Sequence, residues 1–211
     1  MSSQTAAAQE KPQMDPKYIL SLTIRLGCTC VVVATLLGLV NMVTLPNITA
    51  AKKAKTEAAM LDVVPSEEGV TFSDAMDLTD DLTDAASAQG GKLTEAYQVF
   101  QDGDPAGYTL KVSASGSQGT IEMMVGVDAE DVVTGVSIVS NSETPGIGSR
   151  VMDNEMTANG EPVLDQFDGK SPADGTLTVG TNIDAISGAT VSSRGVTTGV
   201  NAALAVAAVL D

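Results

Sequence analysis

Residues 119–128 read GTIEMMVGVD, and their alternation decides the fold. Ile121, Met123, Val125 and Val127 recur at every second position, with Glu122 and Asp128 on the other parity. A strand with one face on a core and one toward water has this pattern, because successive side chains point to opposite sides of a sheet. Neighbouring segments share the texture: EAYQVFQ at 95–101, GYTLKVSAS at 107–115 and DVVTGVSIVS at 131–140, separated by DGDPAG, GSQG and AED. Connections this short and rich in turn residues join antiparallel neighbours, so the spacing predicts a meander. Cover for its apolar face comes from VSSRGVTTGVNAALAVAAVL at 191–210, where Val196, Val200, Leu204 and Ala207 recur at helical spacing. The expectation is an α+β domain, an antiparallel sheet covered by a C-terminal helix. Gly195 and Gly199 each cost about 1 kcal/mol inside a helix, which implies that its first two turns gain something from close approach to the sheet.

Upstream the chain changes character. Residues 26–45, LGCTCVVVATLLGLVNMVTL, carry no charge over 20 positions, enough for a helix to cross a hydrocarbon layer about 30 Å thick. About 25 residues precede this run and it is long for the apolar part of a signal peptide, so it reads as an uncleaved single-pass anchor. Lys11, Lys17 and Arg25 stand before it and Lys52, Lys53 and Lys55 after it, a tie that leaves the orientation open. Residues after Pro46 favour a helical stalk up to Pro65, and residues 66–91, dense in Asp, Thr and Ser, read as a loop-rich acidic connection. The organisation expected is therefore an N-terminal tail at 1–17, a transmembrane helix at 18–45, a stalk and acidic connection at 46–92, and a folded domain at 93–211.

Composition removes several function classes. With 27 acidic and 11 basic residues the formal charge is -16, which repels nucleic acid phosphates. The chain has no His, so the usual ligand for zinc, copper or haem iron and the commonest acid/base near neutrality are missing together. Cys28 and Cys30 lie inside the apolar run and read as small packing residues. Asp74, Asp77, Asp80, Asp81 and Asp84 lack the ligand order and turn glycine of a calcium loop and read as a solvated acidic face. No metal site is expected.

Chemistry concentrates just before the last helix, at Asp184-Ala185-Ile186-Ser187-Gly188-Ala189-Thr190, followed by Val191, Ser192, Ser193 and Arg194. A glycine turn feeding a helix start presents unpaired N–H groups and the positive end of the helix dipole, which favour a phosphate. A Ser or Thr helix cap after a tight turn accounts for the same residues, and local physics leaves both open. A second block, Glu143-Thr144-Pro145-Gly146-Ile147-Gly148, reads by itself as a type II turn after a strand.

Together the two blocks resemble the FMN-binding domain family, whose flavin attachment pattern Asp-x-x-Ser/Thr-Gly-Ala-Thr/Ser is matched at every specified position by residues 184–190. The resemblance implies that Thr190 forms a phosphoester with FMN, delivered from FAD by a separate flavin transferase. It implies that Asp184, Ser187, Gly188, Ala189, Ser192 and Ser193 shape the phosphate turn, and that Glu143, Thr144, Pro145, Gly146, Ile147 and Gly148 line the flavin. Many members have a His shortly before that Glu, where Asn141 and Ser142 stand here. The anchor, the length and the order of the blocks are similar to the G-subunit family of Rnf complexes, membrane assemblies that couple ferredoxin and NAD redox chemistry to ion transport. That likeness implies other membrane subunits as partners, a place in the cell (inner) membrane, a flavin domain on the extracytoplasmic side, and a role as electron carrier with no catalytic residue of its own. The C subunits of sodium-pumping NADH:quinone oxidoreductases and extracellular electron-transfer flavoproteins share the motifs. A membrane-anchored binding module without cofactor stands as the alternative from another class.

Overall fold

The computed structural model describes residues 16–66 and 68–210. All but Pro16 and Lys17 of the expected N-terminal tail lies outside the described residues. The chain forms two compact units, Met1–Ala51 and Lys52–Asp211.

In the first unit runs most of helix α1, Pro16–Asp62, which continues through Pro46 without a break. Pro46 lies one residue beyond the uncharged run, so the stretch expected as a separate stalk is the C-terminal part of the same helix. The apolar window of α1 has a mean hydropathy of 2.2 and none of it is buried against protein. Side chains of this kind, exposed all round the helix, match an apolar surrounding and not water. Thr23, Thr29 and Thr35 each return a hydroxyl to the carbonyl four residues earlier, at 2.8–2.9 Å, which gives these three hydroxyls an acceptor within the helix itself.

In the second unit five strands form one antiparallel sheet in sequence order: β1 (Val70–Phe72), β2 (Lys92–Gln101), β3 (Asp104–Ser115), β4 (Thr120–Asp128) and β5 (Val133–Asn141). Asp102 and Gly103, both at positive φ (54° and 96°), make the two-residue turn between β2 and β3, whose twist suits a right-handed hairpin. The C-terminal helix α4, Thr190–Leu210, lies across the sheet with Val196, Val200, Leu204 and Ala207 buried, as the helical spacing predicts. Beneath it Ile121, Met123 and Val125 are fully buried, each worth about 1.5–3 kcal/mol. Close approach is where the two helix glycines offset their propensity cost. A Cβ at Gly195 would come within 2.7 Å of the Ser115 carbonyl, and one at Gly199 within 2.6 Å of the Met123 sulfur. By length and composition α4 too could cross a membrane, but most of it is buried in the core.

The alternation in β4 predicts one covered face, and the sheet has two. Met124, on the parity of Glu122, is fully buried in a second cluster with Ala59, Met60, Val63 and Val139. The end of α1 supplies this layer, with Thr56, Ala59 and Met60 facing inward. Gly126 and Gly135 are cross-strand partners, and Val63 sits against both, its carbonyl accepting from the Thr134 hydroxyl at 2.6 Å. The acidic stretch expected as loop carries β1 and a short helix α2, Asp80–Ala88, which buries Leu82 and Ala86. Asp80 and Asp81 in its first turn face the positive end of that helix. Leu82, Ala85 and Ala86 supply an i, i+3, i+4 apolar stripe that the surrounding Asp and Thr residues mask in the sequence.

Candidate functional site

The two sequence blocks meet at the N-terminus of α4. Block one leaves β5 and forms a turn in which the Ile147 N–H donates to the Thr144 carbonyl at 3.1 Å and Gly146 sits at φ 75°. Pro at the second place and positive-φ Gly at the third make it the type II turn that the sequence predicts. A short helix α3, Ser149–Met152, follows, and the Ser149 hydroxyl accepts from the Gly146 N–H at 2.8 Å. The second block repeats the device: the Ala189 N–H donates to the Ile186 carbonyl at 2.9 Å, with Gly188 at φ 84°. Ile186 and Ala189 are buried while Ser187 and Gly188 stand exposed between them, so the turn is pinned at both ends and presents its crest to solvent.

Helix α4 opens directly after that turn. The residue before it is Ala189, which has no side chain that can cap, so no Ser or Thr fills that place. The first helix N–H that finds a carbonyl is that of Ser193, on Ala189 at 2.9 Å, which leaves the N–H groups of Thr190, Val191 and Ser192 without a partner among the described residues. Thr190 is half-buried, and its hydroxyl has no hydrogen-bond partner among the described residues. Its neighbours are committed. Ser193 accepts from the Ile186 N–H at 3.4 Å and donates to the Ala189 carbonyl at 3.1 Å, and Ser192 donates to Glu143 at 2.6 Å.

Glu143 joins the blocks. Its carboxylate is buried; one oxygen accepts from the N–H groups of Ser117 (2.8 Å) and Gln118 (3.3 Å) in the β3–β4 turn, the other from Ser192. Its own N–H donates to the Asn141 side chain at 3.1 Å, which closes the start of the block. Gly148 lies against the Ser192–Glu143 bond, where an added Cβ would overlap the Glu143 carboxylate and come within 2.8 Å of the Ser192 hydroxyl. A carboxylate held against the first turn of a helix also meets the positive end of its dipole. Glu143 thus builds the junction through its side chain, while Thr144, Pro145, Gly146 and Ile147 form its rim, Ile147 with 54% of its surface in water.

Asp184 is held, not holding. The buried Gln166 side chain accepts from the Asp184 N–H at 2.7 Å and donates to its carbonyl at 3.2 Å, and Asn159 donates to its carboxylate. Gln166, Asn159, Ser117 and Gln118 were not legible as site residues, because nothing in their local sequence marks them. Arg150 was, in principle. It follows the first block by two residues in an acid-rich domain, and its Nη1 donates to the Ser187 carbonyl at 3.1 Å across 37 positions. Arg194 is exposed on α4 beside Thr178 and Asn201.

Elsewhere in this unit a cavity of about 860 Å³ on the opposite sheet face is lined by Phe72, Tyr97, Glu95, Lys111 and the last turns of α1. There Lys111 bonds Glu95 at 2.9 Å and Thr56 at 3.3 Å, and Tyr97 donates to Glu95 at 2.7 Å. Burial together with the carboxylate beside it pushes the Tyr97 phenol up to about 12. Burial works to raise Glu95 as well, but the hydrogen bonds from Tyr97 and Lys111 and the Lys111 charge outweigh it and hold the carboxyl below its usual range. The cluster carries none of the motif residues.

Residues 116–205, which span the last two strands of the sheet, both turns and most of α4, match the family model described as an FMN-binding domain. Over 206 residues the chain is 32% identical to the G subunit of the Na(+)-translocating ferredoxin:NAD(+) oxidoreductase complex of Acetobacterium woodii, covering 94% of this chain and 96% of the relative. It is 30% identical over 195 residues to the G subunit of the proton-translocating ferredoxin:NAD(+) oxidoreductase complex of Clostridium ljungdahlii (90% and 92% covered). The figures for the G subunit of the ion-translocating oxidoreductase complex of Methanosarcina acetivorans are 28% over 196 residues (90% and 95%). The chain belongs to this G-subunit family of ion-translocating oxidoreductase, or Rnf, complexes. The crystal structure of Shewanella oneidensis NqrC aligns at a TM-score of 0.41 and 22% identity, covering 68% of this chain and 66% of that one.

Proposed function

We propose that this chain is a membrane-anchored electron-transfer subunit of an ion-translocating ferredoxin:NAD+ oxidoreductase complex, and that it holds FMN covalently through the hydroxyl of Thr190. The observation that carries the attachment is the uncommitted Thr190 hydroxyl at the first position of α4, beside three open N–H groups and the Gly188 turn. Those donors and the helix dipole fit a phosphate, so the residues present suit the group the family implies. Forming the bond joins Thr190 Oγ1 to the flavin-side phosphorus of FAD; the pyrophosphate bond breaks, AMP leaves, and the hydroxyl gives up its proton. A flavin transferase catalyses this step in our reading. Ser187, Gly188 and Ala189 shape the turn, with Asp184, Ser192 and Ser193 bracing it, and Glu143 to Gly148 form the wall on which the flavin rests.

FMN, when bound, supplies one- and two-electron transfer. The chain's own contribution is retention and placement, for which no acid/base residue is needed. Tethering through the phosphate keeps the cofactor in place whatever the charge of the ring, so the contacts to the ring are free to tune it. The partners are the remaining membrane subunits of the complex, and α1 is the anchor. We place the flavin domain on the extracytoplasmic side of the cell membrane, by analogy with the family.

The test is denaturing electrophoresis of the full chain co-expressed with a flavin transferase. Wild type and Thr190→Ser should fluoresce in the gel and Thr190→Val should not. A dark wild-type band, or a bright Thr190→Val band, overturns the assignment.

A further inference from the structure

We infer that Arg150 is a positioning residue for the attachment site, a cation aimed at the phosphate that Thr190 would carry. The inference rests on the Thr190 reading and adds to it a residue outside both motifs. Arg150 sits in α3, directly after the first block, and reaches the second: its Nη1 donates to the carbonyl of Ser187, the exposed residue of the turn that ends one position before Thr190. Its Nε is engaged by Glu155 at 2.8 Å, and the pair is more than half buried.

Three features argue for a directed role rather than a loose surface charge. A guanidinium is planar and rigid, so fixing Nε on Glu155 and Nη1 on Ser187 fixes the plane, and Nη2 keeps donors that no described residue occupies. Arg150 is, among the described residues, the one cation hydrogen-bonded to residues 184–190. The chain is strongly acidic, with a formal charge of -16, and the buried Glu143 carboxylate is bonded to Ser192, two residues past Thr190, so an arriving phosphate meets like charge unless a cation offsets it. The carbonyl of Ser187 alone would not require Arg, since any donor or water would satisfy it.

The full chain in detergent serves as acceptor for purified flavin transferase with FAD, and the initial rate of covalent flavin incorporation is read by in-gel fluorescence across acceptor concentrations. Arg150→Met should lower the turnover at saturating acceptor on the order of 10-fold or more, since misaligning a reacting group by about 1 Å costs up to ~100-fold. The acceptor KM should change by less than a factor of about two, because Arg150 aims the turn and does not dock the enzyme. Arg150→Lys, which restores the charge but not the fork, should recover part of the rate, and Glu155→Gln, which frees Arg150 from its brace, should lose part of it. Arg194→Met serves as the control cation and should match wild type. Equal turnover in wild type and Arg150→Met overturns the inference, as does an equal loss in Arg194→Met, or a change confined to KM. Should Arg150→Met fail to fold, wild-type rates in both Arg150→Lys and Glu155→Gln overturn it. A wild-type chain that takes up no flavin fails the Thr190 reading itself, a separate outcome.

Discussion

Removing the hydroxyl of Ser192 should destabilise the folded domain more than its size suggests. Ser192 has 1% of its surface exposed and Glu143 has 7%, and their 2.6 Å hydrogen bond is the sole donor contact to one carboxylate oxygen among the described residues. Ser192→Ala leaves that oxygen buried and unsatisfied, which costs about 1–3 kcal/mol. For a unit running from Lys52 to Asp211, each kcal/mol lowers Tm by roughly 2–4 °C. Glu143→Ala should cost more, about 2–4 kcal/mol, because it also strips the acceptor from the Ser117 and Gln118 N–H groups and opens a void beside Gly148. Glu143→Gln keeps an oxygen for those N–H groups and turns an amide toward a hydroxyl that can rotate to accept, so its cost should be about 1 kcal/mol. Thermal unfolding of the full chain in detergent, followed by circular dichroism, orders the three variants as Glu143→Ala, Ser192→Ala, Glu143→Gln. A Glu143→Ala protein that melts within a degree of wild type, or a Glu143→Gln protein that melts below the Glu143→Ala protein, refutes the view of Glu143 as the buried junction.

Gly148→Ala should disturb the same junction from the other side, since its methyl would overlap the Glu143 carboxylate; a loss of about 1–3 kcal/mol by urea unfolding is expected, and an unchanged midpoint would count against the packing described. Gly195→Val should cost at least as much, because the added side chain meets the Ser115 carbonyl on β3, where backbone cannot yield as a flexible side chain can. Glu95 is held below its usual range, so its pair with Lys111 contributes stability above the ordinary Glu value and loses it as pH falls through the lowered native one. Lys111→Met should therefore be less stable than wild type at pH 7, by about 1 kcal/mol or less given the exposure of Glu95, with the gap narrowing below about pH 4; a gap that widens on acidification contradicts this. Asp168 behaves oppositely: burial and the nearby Asp165 charge raise its carboxyl, so folding is favoured at low pH and that advantage is lost as pH rises through the native value. Asp168→Asn should then be more stable than wild type at pH 7 and indistinguishable from it below about pH 3 in paired urea titrations.

Much of this was legible because periodicity is a local property. The meander and the C-terminal helix could be read from residues 95–140 and 196–207, where burial on one side imposes a two-residue or a 3.6-residue repeat. The second layer was not legible, because Met124 and Val63 become core only when the end of α1 meets the sheet, and no repeat within either segment encodes that meeting. Helix α2 was hidden by composition: its apolar stripe spans three residues among Asp and Thr, which favour caps and turns. At the site the two turns announced themselves, since Pro-Gly and Ser-Gly-Ala constrain the backbone where they stand. The residues joining them did not: Ser117, Gln166 and Asn159 act through contacts across the fold, and only Arg150 carried a hint, as a base beside a motif where bases are scarce.

The Glu143 junction also bears on how the protein is made. Its donors come from residue 117, 26 positions before it, and from residue 192, 49 positions after it. The second of these donors lies on α4, so the junction is complete only once the last helix has been synthesised and packed on the sheet. A chain still emerging, or one whose C-terminal helix has not docked, therefore has no junction to steady the turn before Thr190. Under the attachment proposed at Thr190, flavin loading is coupled to completion of the fold, and an enzyme that recognises the finished turn would pass over unfinished chains without any separate inspection step.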